Sequence, residues 1–242
     1  MQLTIDGKII MPEQDESLRE LVKKLGLDSP TLSQRPLAAR IAGEVFTLNY
    51  IPLRQTEADS ERPSMRRAMV ASGGNIHLLR YGNSAGKEVY IRTAQFVVFL
   101  ALRQLWPQAR AVLSCTLGSS VFISVDQAEG FSVKRLRKQI QAIVESDIPL
   151  LRRRVSRDEA IARYRAEGQI DKARLLSWRS NPYCSEYSYG DYRDDFFGEM
   201  APSTGYLTVW DVLPADGGFL FVFPDDLNPD KLAKLTPMPQ FF

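Results

Sequence analysis

The hydrophobic pattern of the first 55 residues is the feature that most constrains the fold. Two short stretches of alternating apolar residues flank the turn Asp6-Gly7, an arrangement typical of a β-hairpin. A stretch with helical spacing then ends before Gly26, a residue that favours the C-terminal end of a helix. Two further apolar stretches surround the turn Gly43-Glu44. The order strand, strand, helix, strand, strand predicts a helix across a small mixed sheet, the ubiquitin-like β-grasp arrangement.

The remainder of the chain predicts a second, larger domain of α+β class. Residues 57–75 begin with a polar, charged stretch that contains Pro63, and we interpret them as a linker. Beyond them, the periodicity predicts a helix over residues 92–105, a helix from Ser132 and a strand over residues 183–189. We therefore predict an α+β protein with a β-grasp domain over residues 1–56 and an α+β domain over residues 76–242.

Two short motifs in the second domain resemble known local patterns, a phosphate-binding loop and a helix cap. Residues 82–87 have a composition close to a phosphate-binding loop, but only three residues separate the glycines, and Glu88 replaces the serine or threonine that would hold magnesium. We interpret this segment as a hairpin turn between two strands. Ser156 to Glu159 predicts a capping box at the start of a helix.

Composition argues against several classes of site. The chain of 242 residues has a net charge of +2, one histidine and two cysteines. This composition does not force a basic nucleic-acid face, and it excludes a disulfide scaffold. Zinc usually takes about four ligands from cysteine, histidine and carboxylates, and we expect no metal site here. We interpret His77 and Cys184 as structural residues. The start lacks the pattern of a signal peptide and the longest apolar run is too short for a bilayer, so we expect a cytoplasmic protein without a membrane partner.

Residues 1–55 resemble the TGS domain, a β-grasp module found at the start of threonyl-tRNA synthetases and some stringent-response enzymes. Residues 89–212 resemble the second additional domain of threonyl-tRNA synthetase, which is its editing domain, and the two segments follow each other in the same order. The strings that carry the second resemblance are Asp147-Ile148-Pro149, residues 155–160, Gly190-Asp191-Tyr192 and residues 202–206.

The chain also resembles the N-terminal region of bacterial nucleoside kinases of the uridine kinase type. The strings concerned are residues 180–183, 190–192, 202–206, 223–225 and 228–232. This resemblance implies a non-catalytic regulatory or ligand-binding region, with a C-terminal P-loop kinase domain as its partner in cis. That domain would phosphorylate uridine or a similar nucleoside with ATP and magnesium, and we expect no cofactor in the present chain.

The resemblance to the synthetase also predicts candidate site residues. The synthetase domain hydrolyses mischarged tRNA with the patterns H-x-x-x-H on a helix and C-x-x-x-H in a later loop. The matching positions here carry residues that cannot take over the metal-binding or acid–base roles, so we expect no catalytic residue. Two polar positions of the same cleft match Lys172 and Asp194. We predict a residual cleft that could hold a nucleoside or nucleotide by stacking, with Arg92 facing a phosphate. Its residues are Arg92, Phe96, Lys172, Asp194, Phe196 and Met200.

Other interpretations of these residues stay open. Phe96 and Phe196 could simply fill a core, and Lys172 with Asp194 could form an ordinary ion pair. A basic helix face, strengthened by the run of residues 152–154, could follow an RNA backbone or merely be solvated. Alternative functions are therefore a free-standing RNA or nucleotide binding module, with tRNA as a partner, or a degenerate aminoacyl-tRNA hydrolase. The basic face consists of Lys134, Arg135, Arg137 and Lys138.

Overall fold

The protein has the α+β class that the sequence predicts, and its secondary structure falls into three sheets and five α-helices within the described residues. The structure is a computed structural model that describes residues 2–53 and 73–234. Most of the predicted linker, residues 57–72, lies outside the described residues.

The first sheet has five strands in the order β2-β1-β5-β3-β4. All neighbours are antiparallel except β1 and β5, which are parallel. The bounds are β1 Leu3–Ile5, β2 Lys8–Ile10, β3 Ala38–Ile41, β4 Glu44–Phe46 and β5 Asn75–Leu79.

The central strand of this sheet, β5, comes from residues that the sequence analysis assigns to the second domain. Its alternation places Ile76 and Leu78 in the core beneath the first helix, while His77 is exposed. The two hairpins alone would leave the middle of the sheet open, and β5 fills it because it supplies buried apolar residues on the required face. Residues 76–79 therefore belong structurally to the first sheet, which corrects that part of the predicted boundary.

Helix α1 (Leu18–Lys24) packs on the first sheet through Leu18, Leu21 and Val22. It starts with a capping box that the sequence analysis missed. The Ser17 hydroxyl accepts from the Glu20 amide at 3.3 Å, and the Glu20 carboxylate accepts from the Ser17 amide at 2.7 Å. Two backbone donors at the helix start are thereby satisfied.

Helix α2 (Ser84–Leu105) forms the centre of the molecule and contributes residues to the largest core cluster. It begins eight residues earlier than predicted, so the interpretation of residues 82–87 as a hairpin turn is wrong. A Cβ at Gly86 would lie 2.0 Å from the Arg80 carbonyl oxygen. Glycine at this position therefore permits close packing of the helix start against the preceding chain.

A four-stranded antiparallel sheet in the order β11-β12-β7-β6 and helix α3 (Val133–Glu145) complete the main core. Helix α3 starts at the N-cap Ser132, as predicted, and it ends before Asp147, whose φ is +43°. The strand bounds are β6 Arg110–Leu117, β7 Ser120–Asp126, β11 Asp211–Ala215 and β12 Gly218–Val222.

The third sheet is antiparallel, with the order β10-β9-β8, and it carries the candidate site. Tyr164, Leu176 and Cys184 belong to a small core that helices α4 and α5 form with this sheet. Strand β9 has the predicted bounds. The bounds are β8 Arg152–Ser156, α4 Arg157–Ala166, α5 Ile170–Ser177, β9 Tyr183–Tyr189 and β10 Tyr192–Asp195.

The capping box predicted at Ser156 is not formed, although helix α4 does begin directly after this residue. Within the described residues the Ser156 side chain makes no capping hydrogen bond. Ser156 is still the last residue of β8 and pairs with Tyr183 of β9.

Candidate functional site

The six residues of the predicted residual cleft lie in one connected region, between helix α2 and the third sheet. We call them the residual-cleft cluster. Arg92 and Phe96 are one turn apart on α2, Lys172 is on α5, and Asp194 is on β10. Phe196 and Met200 follow β10 in the chain. The geometry therefore brings together residues that are more than 100 positions apart in the sequence.

The centre of the cluster is aromatic and packed. Phe96 is 0% exposed, and its ring centroid lies 5.4 Å from that of Tyr192 and 6.2 Å from that of Phe196. Phe196 in turn contacts Tyr187 edge to face, at 6.3 Å between centroids, and Met200 is buried nearby. This geometry agrees with the alternative that the two phenylalanines fill a core.

Lys172 and Asp194 form an ion pair at one side of this aromatic core. The Lys172 Nζ lies 2.7 Å from each carboxylate oxygen. The carboxylate also accepts from the hydroxyls of Tyr164 at 3.0 Å and Tyr192 at 3.2 Å. Burial, together with the negative charge of Asp194, raises the pKa of both tyrosines, so both hydroxyls remain donors at neutral pH. The acceptor capacity of Asp194 is thus used inside the protein.

Arg92 is held at the opposite side of the cluster by protein groups. Its Nη1 donates to the Glu199 carbonyl oxygen at 2.7 Å, and its Nη2 lies 2.7 Å from the Glu88 carboxylate. Gly198, with φ of +106°, runs directly against the guanidinium. Arg92 therefore supports the segment that contains Gly198 and Glu199, and two of its donor groups are engaged there.

Two buried carboxylates beside the cluster were not found from the sequence. Glu186 and Glu199 are 2% and 4% exposed, and each pairs with an arginine. Glu186 pairs with Arg163, and Glu199 lies 2.5 Å from Nη1 of Arg152. Arg152 thus points inward, although the sequence analysis counted it in a basic surface run. Glu186 occupies a position in phase with the buried Cys184, but the aromatic residues of β9 alternate on the other phase, so the sequence pattern carried no signal for it.

The described residues offer no group of three or more histidine, cysteine, aspartate or glutamate side chains that could hold a metal ion. His77 lies on the first sheet, away from the residual-cleft cluster. Cys184 is buried between the third sheet and its helices, and burial raises the pKa of its thiol. Its thiol is therefore a poor nucleophile at neutral pH.

The four predicted basic residues are exposed on helix α3, but two of them contact the protein. Arg137 pairs with Asp211 at 2.5 Å and donates to the Val212 carbonyl oxygen at 2.8 Å. The Arg135 guanidinium lies 5.3 Å from the centroid of Trp106. The ion pair of Arg137 reduces the charge that the face can offer to a phosphate backbone. The described part of the chain also contains no helix long and apolar enough to cross a membrane.

Comparison with known proteins relates the chain to threonine–tRNA ligases, although it matches no protein-family model. It is 26% identical to the ligase of Carboxydothermus hydrogenoformans over 212 residues, which are 86% of the chain. It is 24% identical to that of Desulforamulus reducens over 218 residues, or 88% of the chain. The ligase of Burkholderia lata is 22% identical over 220 residues, again 88% of the chain.

The chain spans about 30% of the length of these relatives. The similarity is to their N-terminal region and agrees with the resemblance to the synthetase. Nothing in the comparisons supports the resemblance to a nucleoside kinase or a kinase domain as partner.

Proposed function

We propose that this chain is a tRNA-binding module without hydrolytic activity. The observation that carries the proposal is the similarity to threonine–tRNA ligases, which covers 86% of the chain in the Carboxydothermus hydrogenoformans protein. The similarity to the ligases extends over most of the chain. The positions that would match the editing residues, however, carry Phe96, Phe196 and Met200 in a packed core. Loss of the reactive groups without loss of the surrounding fold favours a role in binding.

Hydrolysis of an ester needs a base or a metal ion to activate water. In the residual-cleft cluster, Phe96 and Met200 are buried apolar side chains. The carboxylates beside them already have partners, since Asp194 pairs with Lys172 and Glu199 pairs with Arg152. A base that is engaged in this way is poorly placed to accept a proton from water, which supports a module that binds and does not cleave.

In this proposal the residual-cleft cluster is a rigid support between helix α2 and the third sheet. A nucleoside could enter only if the contacts of Phe96 with Tyr192 and Phe196 were broken. Loss of such buried aromatic packing costs several kcal/mol. The prediction that the cluster holds a nucleoside or nucleotide is thus the less favoured alternative, and the experiment below also tests it.

The test combines binding and hydrolysis. We expect fluorescence anisotropy with labelled tRNA to give saturable binding that weakens as the salt concentration rises. We expect aminoacylated tRNA to lose its amino acid at the spontaneous rate, with or without added zinc or magnesium. Calorimetry with uridine, UMP and ATP should give no heat of binding.

Three results would contradict the proposal in different ways. Failure to bind tRNA at low salt would remove the function itself. Accelerated deacylation would return the chain to the degenerate hydrolase. Nucleotide binding that is lost in Phe196→Ala would instead favour the residual cleft as a ligand site.

A further inference from the structure

A buried tyrosine of the second domain lies against two arginines of the β-grasp part, by which we mean the first sheet with helix α1. Tyr206 is 1% exposed and belongs to a single 3-10 turn, Thr204–Tyr206. The guanidinium carbon of Arg35 lies 4.0 Å from the centroid of its ring, and that of Arg19, on helix α1, lies 5.2 Å from it. A cation and an aromatic ring attract each other more strongly where water is excluded, so this contact holds the two parts of the chain together.

Hydrogen bonds across the same boundary fix the direction in which the two parts meet. Arg35 donates from Nη1 to the Gly205 carbonyl oxygen at 3.3 Å. The side-chain amide of Asn49 donates to the carbonyl oxygens of Pro202 at 2.8 Å and Leu150 at 3.3 Å. Because a hydrogen bond requires its donor and acceptor to be aligned, bonds at separate points resist both rotation and sliding of one part on the other.

The loop of the second domain that receives these contacts is held by bonds within its own domain. The Thr204 hydroxyl donates to the carbonyl oxygen of Ile143, in the last turns of helix α3, at 2.7 Å. The Ser203 hydroxyl donates to the carboxylate of Asp147, just beyond the end of that helix. The loop of residues 202–206 is therefore anchored to the end of α3, and it presents Tyr206 to the β-grasp part in a defined position.

Apolar packing extends the contact beyond this loop. Leu32, Leu37 and Ala38 come from the β-grasp part, yet they belong to the main core that contains helix α2. Strand β3 directs Ala39 and Ile41 to its other face, into the cluster that includes helix α1. The first sheet thus lies between two cores at this end, and separation of the two parts would expose apolar residues of both to water.

We infer that the β-grasp part is docked on the second domain in one fixed orientation and that the two parts unfold as a single cooperative unit. Domains joined by a linker move relative to each other unless a substantial interface holds them. The contact, which we call the junction, is such an interface. Its residues are Arg19, Arg35, Asn49 and Tyr206.

The junction also gives a role to two of the sequence strings that resemble the synthetase. Asp147-Ile148-Pro149 contributes Asp147, whose carboxylate lies 3.6 Å from Nη2 of Arg19, and residues 202–206 contribute Tyr206. In this chain the two strings act as structural contacts between the parts. A partner that touches both parts would therefore meet a surface of constant shape.

The experiment compares two probes of urea unfolding in the full chain, one for each part. Trp106, Trp178 and Trp210 are the three tryptophans of the chain and all lie in the second domain, so their fluorescence reports on it. Amide hydrogen exchange of peptides from residues 2–24, measured by mass spectrometry at the same urea concentrations, reports on the β-grasp part. We expect the two transitions to coincide in the native chain.

Weakening the junction should separate the two transitions. In Tyr206→Leu, the peptides of the β-grasp part should lose protection at a urea concentration roughly 0.5–1 M below the fluorescence midpoint. Arg35→Met and Asn49→Ala should act in the same direction from the other side of the junction, which keeps the test valid if Tyr206→Leu does not fold. The control Tyr189→Leu replaces a tyrosine that is 42% exposed, and its transitions should coincide.

Two results would overturn the inference. Separate transitions in the native chain would mean that the parts unfold independently. Transitions that coincide in Arg35→Met and in Asn49→Ala, as they do in the control, would mean that the junction does not couple the parts. The experiment contains no tRNA, so neither result bears on the proposed function.

Discussion

At the scale of the residue, two phenylalanines of the same region have opposite roles. Phe96 is 0% exposed and belongs to the main core, whereas Phe197 is 90% exposed. The two side chains have the same chemistry, so the difference lies only in what surrounds each ring. Stability should depend far more on the first residue than on the second.

We predict that Phe96→Ala lowers the free energy of unfolding by about 3–5 kcal/mol, because it removes a large buried ring and leaves a cavity. Phe197→Ala is the matched substitution on the surface and should change this free energy by less than about 0.5 kcal/mol. Urea unfolding followed by circular dichroism measures both. A small loss for Phe96→Ala would mean that the residual-cleft cluster is loosely packed, which would favour a ligand site there.

At the scale of the element, the two serines that precede helices show how a start signal depends on its neighbours. Ser17 precedes α1 and makes both bonds of a capping box with Glu20. Ser156 precedes α4 and pairs with Tyr183 as the last residue of β8, and within the described residues its side chain makes no capping bond. The same residue type is thus a cap in one place and a strand end in the other.

We predict that Ser17→Ala destabilises the protein by about 1 kcal/mol, while Ser156→Ala has little effect. Hydrogen bonds from Ser17 lower the pKa of Glu20, so their contribution is present above the unfolded-state pKa of this carboxyl. It is lost as the pH falls through the lower, folded-state pKa. Urea unfolding of both variants at neutral and acidic pH measures this, and the difference between Ser17→Ala and the native chain should shrink in acid. Equal effects of the two substitutions would contradict the assignment.

At the scale of the whole molecule, the packing of the first sheet, helix α2 and the third sheet buries tyrosine hydroxyls in several places. The pKa of each of these tyrosines is raised, chiefly by burial, with smaller changes from neighbouring charges. Their ionisation is therefore unfavourable in the folded state. They are Tyr81, Tyr90, Tyr164, Tyr187, Tyr192 and Tyr206.

We predict that the protein loses stability as the pH rises above about 10, the unfolded-state pKa of tyrosine. The sign follows because the folded-state pKa is raised: the contribution is complete below the unfolded-state value and falls as the unfolded chain releases protons. Tyrosinate absorbance and circular dichroism recorded together during an alkaline titration measure this. The buried hydroxyls should ionise in the same step in which the helices are lost. Their ionisation while the fold is intact would contradict the burial described above.

Local patterns were enough to predict those elements whose side chains follow one period. Strand β9 and the start of helix α3 at Ser132 are as predicted. In α3 the helical spacing reflects burial of one face, at Leu136, Ile140 and Ile143. The hairpins of the first sheet also follow from the pattern. The first hairpin turns at Asp6-Gly7, as predicted, whereas the second turns at Ala42-Gly43, one residue before the predicted Gly43-Glu44. The resemblance to the synthetase selected the candidate site residues, and the structure brings them together in one region of the fold.

By itself, the sequence therefore determined the α+β class and most local elements, since each depends on residue type and short-range spacing. Only the tertiary structure decided that β5 enters the centre of the first sheet and that Glu186 and Glu199 pair with arginines. These features join residues that are distant in the sequence, and their energies depend on burial and distance, which no local pattern records.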